Sequence, residues 1–326
     1  MTAPSSADAP HTAEVGVRIG LSAVVIALHN RQAVVLTTRA PDGTPALPFG
    51  PFDPVKDRTF ELALRQFVTE QTGFPLGFVE QLYTFGDIGR ASPRATPGPQ
   101  AAREVSVGYL ALTTSSANAA DFATEGRAAA WTPLFDIFPW EDWRCGPPAS
   151  LPNLIDGLKR WAGSDARRLT RIDGLFPLSP DTRWNEERVL ERYELLYEAG
   201  LGNEASRDHD RPAPPSLGDL SMASDHRRIV ATGLGRLRAK LKYRPVLFDL
   251  MPDRFTLSNL QTAAEAVSGL ALHKQNFRRG VERTGLVSAT GQLATDTGGR
   301  PAELFRYIGP DVATGSAPGL ALPGQR

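Results

Sequence analysis

Residues 272–307 read LHKQNFRRGVERTGLVSATGQLATDTGGRPAELFRY, and this stretch decides the predicted fold of the C-terminal part of the chain. A short cationic helix opens it, with Phe277 and Val281 on an apolar side and Gly285 placed to end the helix. A hairpin-like segment follows, with Gly-Gly-Arg-Pro near its tip and the strand-like AELFRY closing it. A helix, a stop and a basic hairpin in this order predict a winged helix-turn-helix.

The polar side chains of this predicted helix have the chemistry of DNA contact. Lys and Arg neutralise phosphates, while Asn, Gln and Arg can hydrogen-bond base edges in the major groove. The alternative is an amphipathic surface helix with ordinary solvated charges, and composition alone does not separate the two. The residues that the DNA hypothesis singles out are Lys274, Gln275, Asn276, Arg278 and Arg279.

The charge distribution favours the DNA hypothesis. The chain has 36 Lys and Arg against 36 Asp and Glu, a net charge of +0, but the two signs are unevenly divided. Residues 226–308 hold 14 basic and 6 acidic side chains, a net charge of +8, so the remainder carries −8. A basic unit joined to an acidic one is expected where one part binds nucleic acid and the other disfavours non-specific coating of DNA.

Composition excludes several classes of protein. With 326 residues, 41% hydrophobic and 22% charged, the chain fits a soluble protein of about two domains. The single Cys145 excludes an intramolecular disulfide and a Cys-cluster zinc site, and the five His residues show no pair at ligand spacing. No apolar run approaches the roughly 20 residues of a membrane span, and no signal-peptide pattern opens the chain. We therefore expect a cytoplasmic protein with disordered tails at residues 1–14 and 309–326.

Residues 15–145 are predicted to form a mixed α/β unit. Its clear helix spans residues 60–72 and ends at Gly73. The apolar face predicted for this helix consists of Leu62, Leu64, Phe67 and Val68. Runs of β-branched and alternating apolar residues predict strands at residues 19–27, 33–38, 79–85, 105–112 and 129–136.

The rest of the chain is predicted to be mainly helical. Residues 146–222 form a helical extension with a linker at residues 206–219, and residues 223–308 form the winged helix-turn-helix domain. Thr256 is expected to cap the first helix of that motif and Gly269 to lie in its turn. The predicted helices span residues 154–162, 185–199, 226–241, 256–267 and 273–283.

The segment at residues 50–74 ends in TEQTGF. It resembles a Nudix box, the loop-helix-loop signature of hydrolases that act on nucleoside diphosphates linked to another group, whose end reads xEExGU with U an aliphatic residue. Glu70 matches one acid of the metal-binding group, but Gln71 replaces its neighbour. Gln66 and Phe67 occupy the positions of an Arg-Glu pair.

Hydrolysis by this segment is not expected. The chemistry needs several carboxylates on one helical face to hold Mg²⁺ against a diphosphate. One carboxylate flanked by Gln and Phe cannot do this, so no catalytic residue and no metal site are predicted. An alternative stays open, in which Glu70 is merely a surface helix residue of an unrelated α/β domain.

The two halves together resemble a Nudix-related transcriptional regulator of NAD metabolism, and the likeness spans roughly residues 17–131 and 225–307. The matching segments are EQLYTFGD at residues 80–87, VSVGYLAL at 105–112, RLRAKLKYRPVLFDLMPDRFTLSNLQ at 236–261, and LHKQNFRR and GGRPAELFRY in the last folded stretch. The resemblance implies an α/β + α fold, a Nudix-like α/β/α sandwich with a helical extension, followed by a winged helix-turn-helix domain. The long extension resembles that of regulators of de novo NAD biosynthesis.

The resemblance also implies a function. It implies a homodimeric repressor that binds a palindromic operator of NAD biosynthesis or salvage genes and requires no cofactor. A catalytically inactive Nudix-like domain would sense an adenine nucleotide (NAD, ATP or ADP-ribose) as corepressor or inducer. The further DNA contacts that it implies are Gly299 and Arg300 in the wing and Lys240 and Lys242 near the end of the preceding helix, whereas Phe277 and Leu286 pack the core. The effector contacts are Arg39, Gln81, Tyr83 and Phe85, the last three alternating along one strand.

Two other functions remain alternatives at this level. The first is a Nudix-type hydrolase of ADP-ribose or another nucleotide with a non-standard metal site, which Gln66, Phe67 and Gln71 disfavour. The second is a nucleotide-binding adaptor that acts through protein partners by way of the helical extension. The adaptor predicts no sequence-specific DNA binding.

Overall fold

The computed structural model of the chain describes residues 16–73, 76–86, 103–114, 129–177, 182–294 and 301–309. The predicted wing-tip residues Gly299 and Arg300 lie outside these ranges, as do the predicted tails apart from Gly309.

A mixed seven-stranded sheet forms the N-terminal unit, and its main path runs β3-β2-β1-β6-β5. The strands are β1 (Val17–His29), β2 (Gln32–Arg39), β3 (Pro45–Ala46), β4 (Phe49–Pro51), β5 (Phe78–Phe85), β6 (Arg103–Leu112) and β7 (Ala130–Pro133). The central β1 is parallel to β6 and antiparallel to β2 and β4. The strand predicted at residues 129–136 ends at Pro133, because proline has no N–H for the ladder, and α2 (Leu134–Ile137) follows.

The helix α1 (Phe60–Thr72) covers one face of this sheet. Thr59 caps it by accepting a hydrogen bond from the N–H of Leu62, and Gly73 ends it at a φ of 73°. Leu64 and Val68 are buried as predicted. The prediction for Leu62 is wrong, since 52% of this residue is exposed. Residues two positions apart in a helix point about 200° away from each other, so Leu62 and Leu64 cannot share a face.

The extension contains α3 (Leu151–Ala162), α4 (Ala166–Leu175), α5 (Val189–Glu198) and α6 (Asn203–Asp208). The extension is helical as predicted, although α4 and α6 were not predicted as separate helices. The segment predicted as a linker contacts the C-terminal part of the chain at its last residue. The Asp219 carboxylate accepts a hydrogen bond of 2.6 Å from Arg227. A single apolar cluster continues from the sheet through the extension into the C-terminal helices. The domain boundaries at residues 145 and 222 stay predictions.

The C-terminal part contains α7 (His226–Leu241), α8 (Leu257–Ser268), α9 (Lys274–Thr284) and the antiparallel pair β8 (Val287–Ala294) and β9 (Ala302–Tyr307). This order of helices and strands confirms the predicted winged helix-turn-helix. Thr256 caps α8 through the N–H of Asn259 at 3.0 Å, and Gly269 ends that helix at a φ of 73°, both as predicted.

Helix α7 lies on the second face of the sheet, opposite α1, and also contacts α8. Two glycines lower the helical propensity of α7, but they allow neighbouring segments to approach this helix closely. A Cβ at Gly233 would lie 3.0 Å from the side chain of Val24, and one at Gly235 would lie 2.8 Å from the carbonyl oxygen of Glu187. The helix therefore connects the N-terminal sheet directly to the helix-turn-helix.

Candidate DNA interface and effector cavity

Helix α9 presents two different polar faces. Phe277 and Val281 are buried and fix the side that packs against the domain, and Leu286 just after the helix is buried as predicted. Because successive residues turn by about 100°, the side directly opposite carries Gln275 and Arg279. Arg279 donates a hydrogen bond of 3.0 Å to the Oδ1 atom of the neighbouring Asn276.

Arg283 belongs to the same outward face and was missed by the sequence reasoning. Its Nε atom donates to the carbonyl oxygen of Arg279 at 3.3 Å, one turn back along the helix. The signal was present in the sequence, since residues 275, 279 and 283 repeat at a spacing of four. The outward face of α9 therefore combines one amide and two guanidinium groups.

Lys274 and Arg278 lie on the flank of α9, beside the first turn of α8. The Nη2 atom of Arg278 donates to the hydroxyl of Ser258 at 3.3 Å. Within the described ranges, no acidic side chain forms an ion pair with Lys274, Arg278, Arg279 or Arg283. These cations are free to meet an external anion.

The structure contradicts the assignment of Lys240 to a phosphate contact. This residue is only 6% exposed, and its Nζ atom lies 2.7 Å from the carboxylate of Glu80 on β5. A buried ammonium held by a carboxylate cannot reach a DNA backbone. Lys242 is more exposed but pairs with Glu186 at 3.0 Å and with Glu187, and it stays only a predicted contact.

The uneven charge distribution is partly structural. Cations of α7 pair with acids from the N-terminal part of the chain, so part of the +8 charge holds the molecule together instead of attracting DNA. These pairs are Arg227 with Glu204 and Asp219, Arg228 with Glu194, Arg236 and Lys240 with Glu80, and Arg238 with Glu141.

Among the predicted effector residues, the structure brings Tyr83 and Phe85 together, with their ring centroids 5.4 Å apart, while Arg39 lies on another strand. A β-bulge between Gln81 and Tyr83 interrupts the alternation of β5, so the premise that Gln81, Tyr83 and Phe85 share a face is wrong. Gln81 and Tyr83 are exposed, whereas Phe85 is buried and packs where Ile229 of α7 approaches the sheet. Arg39 is exposed at the end of β2 and donates to the carbonyl oxygen of Gly43 at 3.0 Å.

The Nudix-box remnant on α1 does not fit a magnesium site. The Glu70 carboxylate accepts a hydrogen bond of 2.8 Å from Gln66, and Gln71 donates to the carbonyl oxygen of Phe49 at 2.6 Å. The ring of Phe67 packs on Gly50, where a Cβ would lie 3.2 Å from it. Across the part of the chain that the structure describes, no cluster of three His, Cys, Asp or Glu could hold a metal ion.

A cavity of about 750 Å³ lies on the opposite side of β4 from α1, between the sheet and the segment that leads into α7. The rings of Phe49 and His226 are 5.1 Å apart on its wall, and the N–H of Leu47 donates to His226 Nδ1 at 3.0 Å. His226 is the first residue of α7. The cavity therefore touches both the N-terminal sheet and the helix that reaches the helix-turn-helix.

The lining of this cavity has groups suited to the base and the ribose of a nucleotide. The two rings offer stacking surfaces for a base. Carboxylates of Asp42 and Glu104 can accept hydrogen bonds from ribose hydroxyls. Arg207 also lines the cavity, but its guanidinium donates to the Asp208 carboxylate and to the carbonyl oxygens of Met222 and Ser224. Sequence reasoning missed this set because its members are distant along the chain and only the fold assembles them.

The fold and the site define a class of protein in which a Nudix-like domain is joined to a winged helix-turn-helix. Residues 247–307 match the family described as the NrtR DNA-binding winged helix domain. The chain is 22% identical to Shewanella oneidensis NrtR, whose crystal structure in complex with a 27mer DNA it resembles with a TM-score of 0.56 over 94% of this chain and 99% of that one. Residues 247–307 thus match the NrtR winged-helix family, and the chain as a whole shares its fold with Shewanella oneidensis NrtR.

The chain is also similar to two further proteins. The first, the "ADPR responsive transcriptional repressor NtrR" of Acinetobacter baylyi, is 38% identical over 88 residues, which are 27% of this chain and 35% of that protein. The chain thus spans about a third of the length of this curated relative. The second, a MutT/nudix family protein from Enterococcus faecalis, shares the fold with a TM-score of 0.50 and 16% identity, over 94% of this chain and 89% of that one. In the described ranges, no helix has the length and apolarity needed to cross a membrane.

Proposed function

We propose that this protein is a transcriptional repressor that binds an operator through α9 and responds to ADP-ribose. The observation that carries the proposal is the outward face of α9, on a winged helix that matches the NrtR family. Among the described residues, no acidic side chain forms an ion pair with Arg279 or Arg283 of this face. Such a helix lies in the major groove, where Arg contacts guanine and Gln contacts adenine. The named activity of the Acinetobacter baylyi relative supports the same function.

The cavity beside His226 is the proposed effector site. ADP-ribose would enter between the Phe49 and His226 rings, because these are the stacking surfaces that the cavity offers. An effector changes DNA affinity only by binding two conformations of the protein unequally. Opening the contact between Phe49 and His226 moves the start of α7, and we therefore assign ADP-ribose the role of inducer, which weakens operator binding.

The Nudix-like domain is proposed to sense without hydrolysis. Glu70 is the one acid that remains at the aligned metal positions, and its carboxylate is engaged by Gln66. A domain without turnover reports the concentration of its ligand without consuming it. NAD and ATP share the adenosine part of ADP-ribose and are the competing effectors, and NAD biosynthesis or salvage genes are the proposed targets.

A homodimer on a palindromic operator completes the proposal. Two winged helices related by a two-fold axis would contact half-sites about one helical turn apart, roughly 34 Å. The protein is expected to be cytoplasmic, where its DNA target and its nucleotide effector are both found.

Operator binding by the full chain tests the proposal. A duplex is first selected from a random-sequence library, and its binding is then titrated in a gel shift with ADP-ribose, NAD and ATP. We expect specific binding that ADP-ribose weakens at least tenfold, with smaller effects of NAD and ATP. Failure to select any sequence would favour the adaptor, and Mg²⁺-dependent cleavage of ADP-ribose by the purified chain would favour the hydrolase.

Two aromatic variants test the effector site. Phe49→Ala removes a half-exposed ring from the cavity wall, so ADP-ribose should bind at least tenfold more weakly while operator binding without effector persists. Tyr83→Ala is the matched control, because Tyr83 is 63% exposed and does not line the cavity. Calorimetric titration measures both. A large loss in Tyr83→Ala with none in Phe49→Ala would place the site on β5 instead.

A further inference from the structure

A second and larger cleft, of about 1020 Å³, separates the sensor sheet from the winged helix. Its floor is the first turn of α8 and the base of the wing at residues 301–303, and one wall is the flank of α9. The other wall is the β1–β2 hairpin, which contributes Leu28 and Arg31. The flank of the DNA-binding helix therefore faces a residue of the sensor domain.

Three cations converge on this cleft. Lys274 and Arg278 come from α9 and Arg31 from the hairpin tip, against the carboxylates of Glu282 and Glu303, so the cleft has a net positive charge. The Nε atom of Arg278 is buried without a hydrogen-bond partner. Among the described residues, no hydrogen bond or ion pair engages the side chain of Arg31 or Lys274, whereas the cations of α7 discussed above all have acidic partners.

The backbone of Arg31 is a second, independent observation. Asn30 and Arg31 have φ values of 48° and 65°, so both residues of the two-residue turn are left-handed. A type I′ turn of this kind favours Asn-Gly, and a long side chain at the second position adds strain that glycine avoids. A strained residue without an internal partner, at the rim of a cationic cleft, points to an external ligand.

We propose that Arg31 contacts a backbone phosphate of the operator and makes the sensor domain part of the DNA interface. The inference rests on the proposed function, since the phosphate belongs to DNA held by α9. Lys274 and Arg278 are placed to contact the same strand, next to the Ser258 hydroxyl at the start of α8. Phosphate contacts of this kind fix the position of a protein on the duplex and carry no base preference.

Arg31→Gly tests this contact while preserving the turn. The Asn-Gly pair is the favoured type I′ sequence, so the melting temperature should stay the same or rise. We expect operator affinity to fall about three- to tenfold near 0.15 M salt, with the slope of log K against log salt reduced by about 0.9 per bound protomer. Affinity for non-specific duplex should fall by the same factor.

Further variants separate the possible outcomes. Arg31→Asn also tolerates the left-handed turn and should repeat the glycine result, whereas Arg31→Lys keeps the charge and should keep most of the affinity. Wild-type affinity and salt slope in Arg31→Gly would overturn the inference, as would a loss of ADP-ribose binding with DNA binding intact. If the wild-type chain selects no duplex, the proposed function is wrong. If the wild-type chain selects a duplex and Arg31→Gly binds it with the same affinity and salt slope, only the contact between Arg31 and a phosphate is wrong.

Discussion

At the residue scale, side chains of the same type on one helix have different environments. Lys274 and Arg278 lie beside the first turn of α8, whereas Arg279 and Arg283 point straight outward. A composition count treats these four cations alike. Only the direction set by the buried Phe277 separates the two pairs, of which we propose the first for phosphates and the second for base edges.

Two alanine variants on α9 should therefore behave differently. Arg279→Ala removes an outward guanidinium, so we expect a cost of about 1–3 kcal/mol on the preferred operator and relaxed discrimination at one base pair. Lys274→Ala should weaken binding by a similar factor on every sequence and lower the salt slope by about 0.9. Gel shifts on a set of single-base operator variants measure both effects.

Arg160→Ala is the matched control for charge removal. Arg160 is exposed on α3, outside the winged helix, and its loss should leave affinity and salt slope unchanged. If Arg279→Ala weakens all operator variants equally, Arg279 contacts phosphate and the assignment of the outward face to base recognition is wrong.

At the element scale, a glycine ends each helix of the helix-turn-helix, but the two glycines have different neighbours. Gly269 after α8 and Gly285 after α9 both adopt left-handed backbone, with φ values of 73° and 65°. A Cβ added at Gly285 would meet no atom of the described residues within 4 Å, whereas a Cβ at Gly269 would come 2.2 Å from the carbonyl oxygen of Glu141. The turn of the motif therefore also packs against residues 141–143, and the Trp143 N–H donates a hydrogen bond to the Gly269 carbonyl oxygen at 2.7 Å.

The two glycines predict unequal costs of substitution. Gly285→Ala should lower the free energy of unfolding by about 1–2 kcal/mol, the cost of a left-handed non-glycine residue. Gly269→Ala should cost about 2–5 kcal/mol, because overpacking against backbone adds to the same conformational cost. Urea unfolding of the two variants measures the difference. Equal costs would mean that the turn does not dock against residues 141–143.

At the scale of the whole molecule, one buried carboxylate joins the helical extension to the helix-turn-helix. Both oxygens of Glu141 accept hydrogen bonds from Arg192 of α5, at 2.6 and 2.9 Å, and one also accepts from Arg238 of α7 at 2.5 Å. Arg238 in turn donates to the carbonyl oxygen of Val267 in α8 at 2.9 Å. All three charged side chains are fully buried. Under the proposed function, a shift of α7 at the cavity would reach α8 through this cluster.

Replacing this carboxylate should uncouple the two ends of the molecule. Glu141→Gln leaves two buried guanidinium groups without a counter-charge, so we expect a loss of about 3–5 kcal/mol in the free energy of unfolding. In protein that remains folded, ADP-ribose should still bind, but its effect on operator affinity should shrink. Calorimetry measures the binding of ADP-ribose, and gel shifts measure its effect on operator affinity. The control is Glu191→Gln, which removes one side of an exposed pair with Arg188.

The same cluster predicts an acid dependence of stability. Burial alone would raise the pKa of Glu141, but Arg192 and Arg238 outweigh it and hold this pKa below its usual value. A lowered pKa in the folded state means stability that is present above the unfolded pKa of about 4.3 and lost as the pH falls below it. Glu141→Gln should flatten the loss of stability in that range. An unchanged acid profile would show that other carboxylates govern it.

Local signals in the sequence predicted the winged helix well. Thr256, Gly269 and Gly285 mark helix ends through backbone chemistry that acts within one turn, and Phe277 with Val281 fixes a buried side by spacing alone. The five longer sheet strands followed from their apolar runs for the same reason, whereas the short strands β3 and β4 were not predicted. The shared face predicted for Gln81, Tyr83 and Phe85 failed, because a β-bulge is set by the partner strand β6 and leaves no local mark.

The sequence by itself determined the elements, the eroded Nudix box and the cationic character of α9, since each depends on residues within a few turns of one another. The tertiary structure alone decided which cations are free. Lys240 and Arg238 look like Lys274 and Arg279 in the sequence, yet the first two are buried against Glu80 and Glu141. Whether a charge holds the fold together or faces a ligand depends on groups far away in the chain, and so does the cavity between Phe49 and His226.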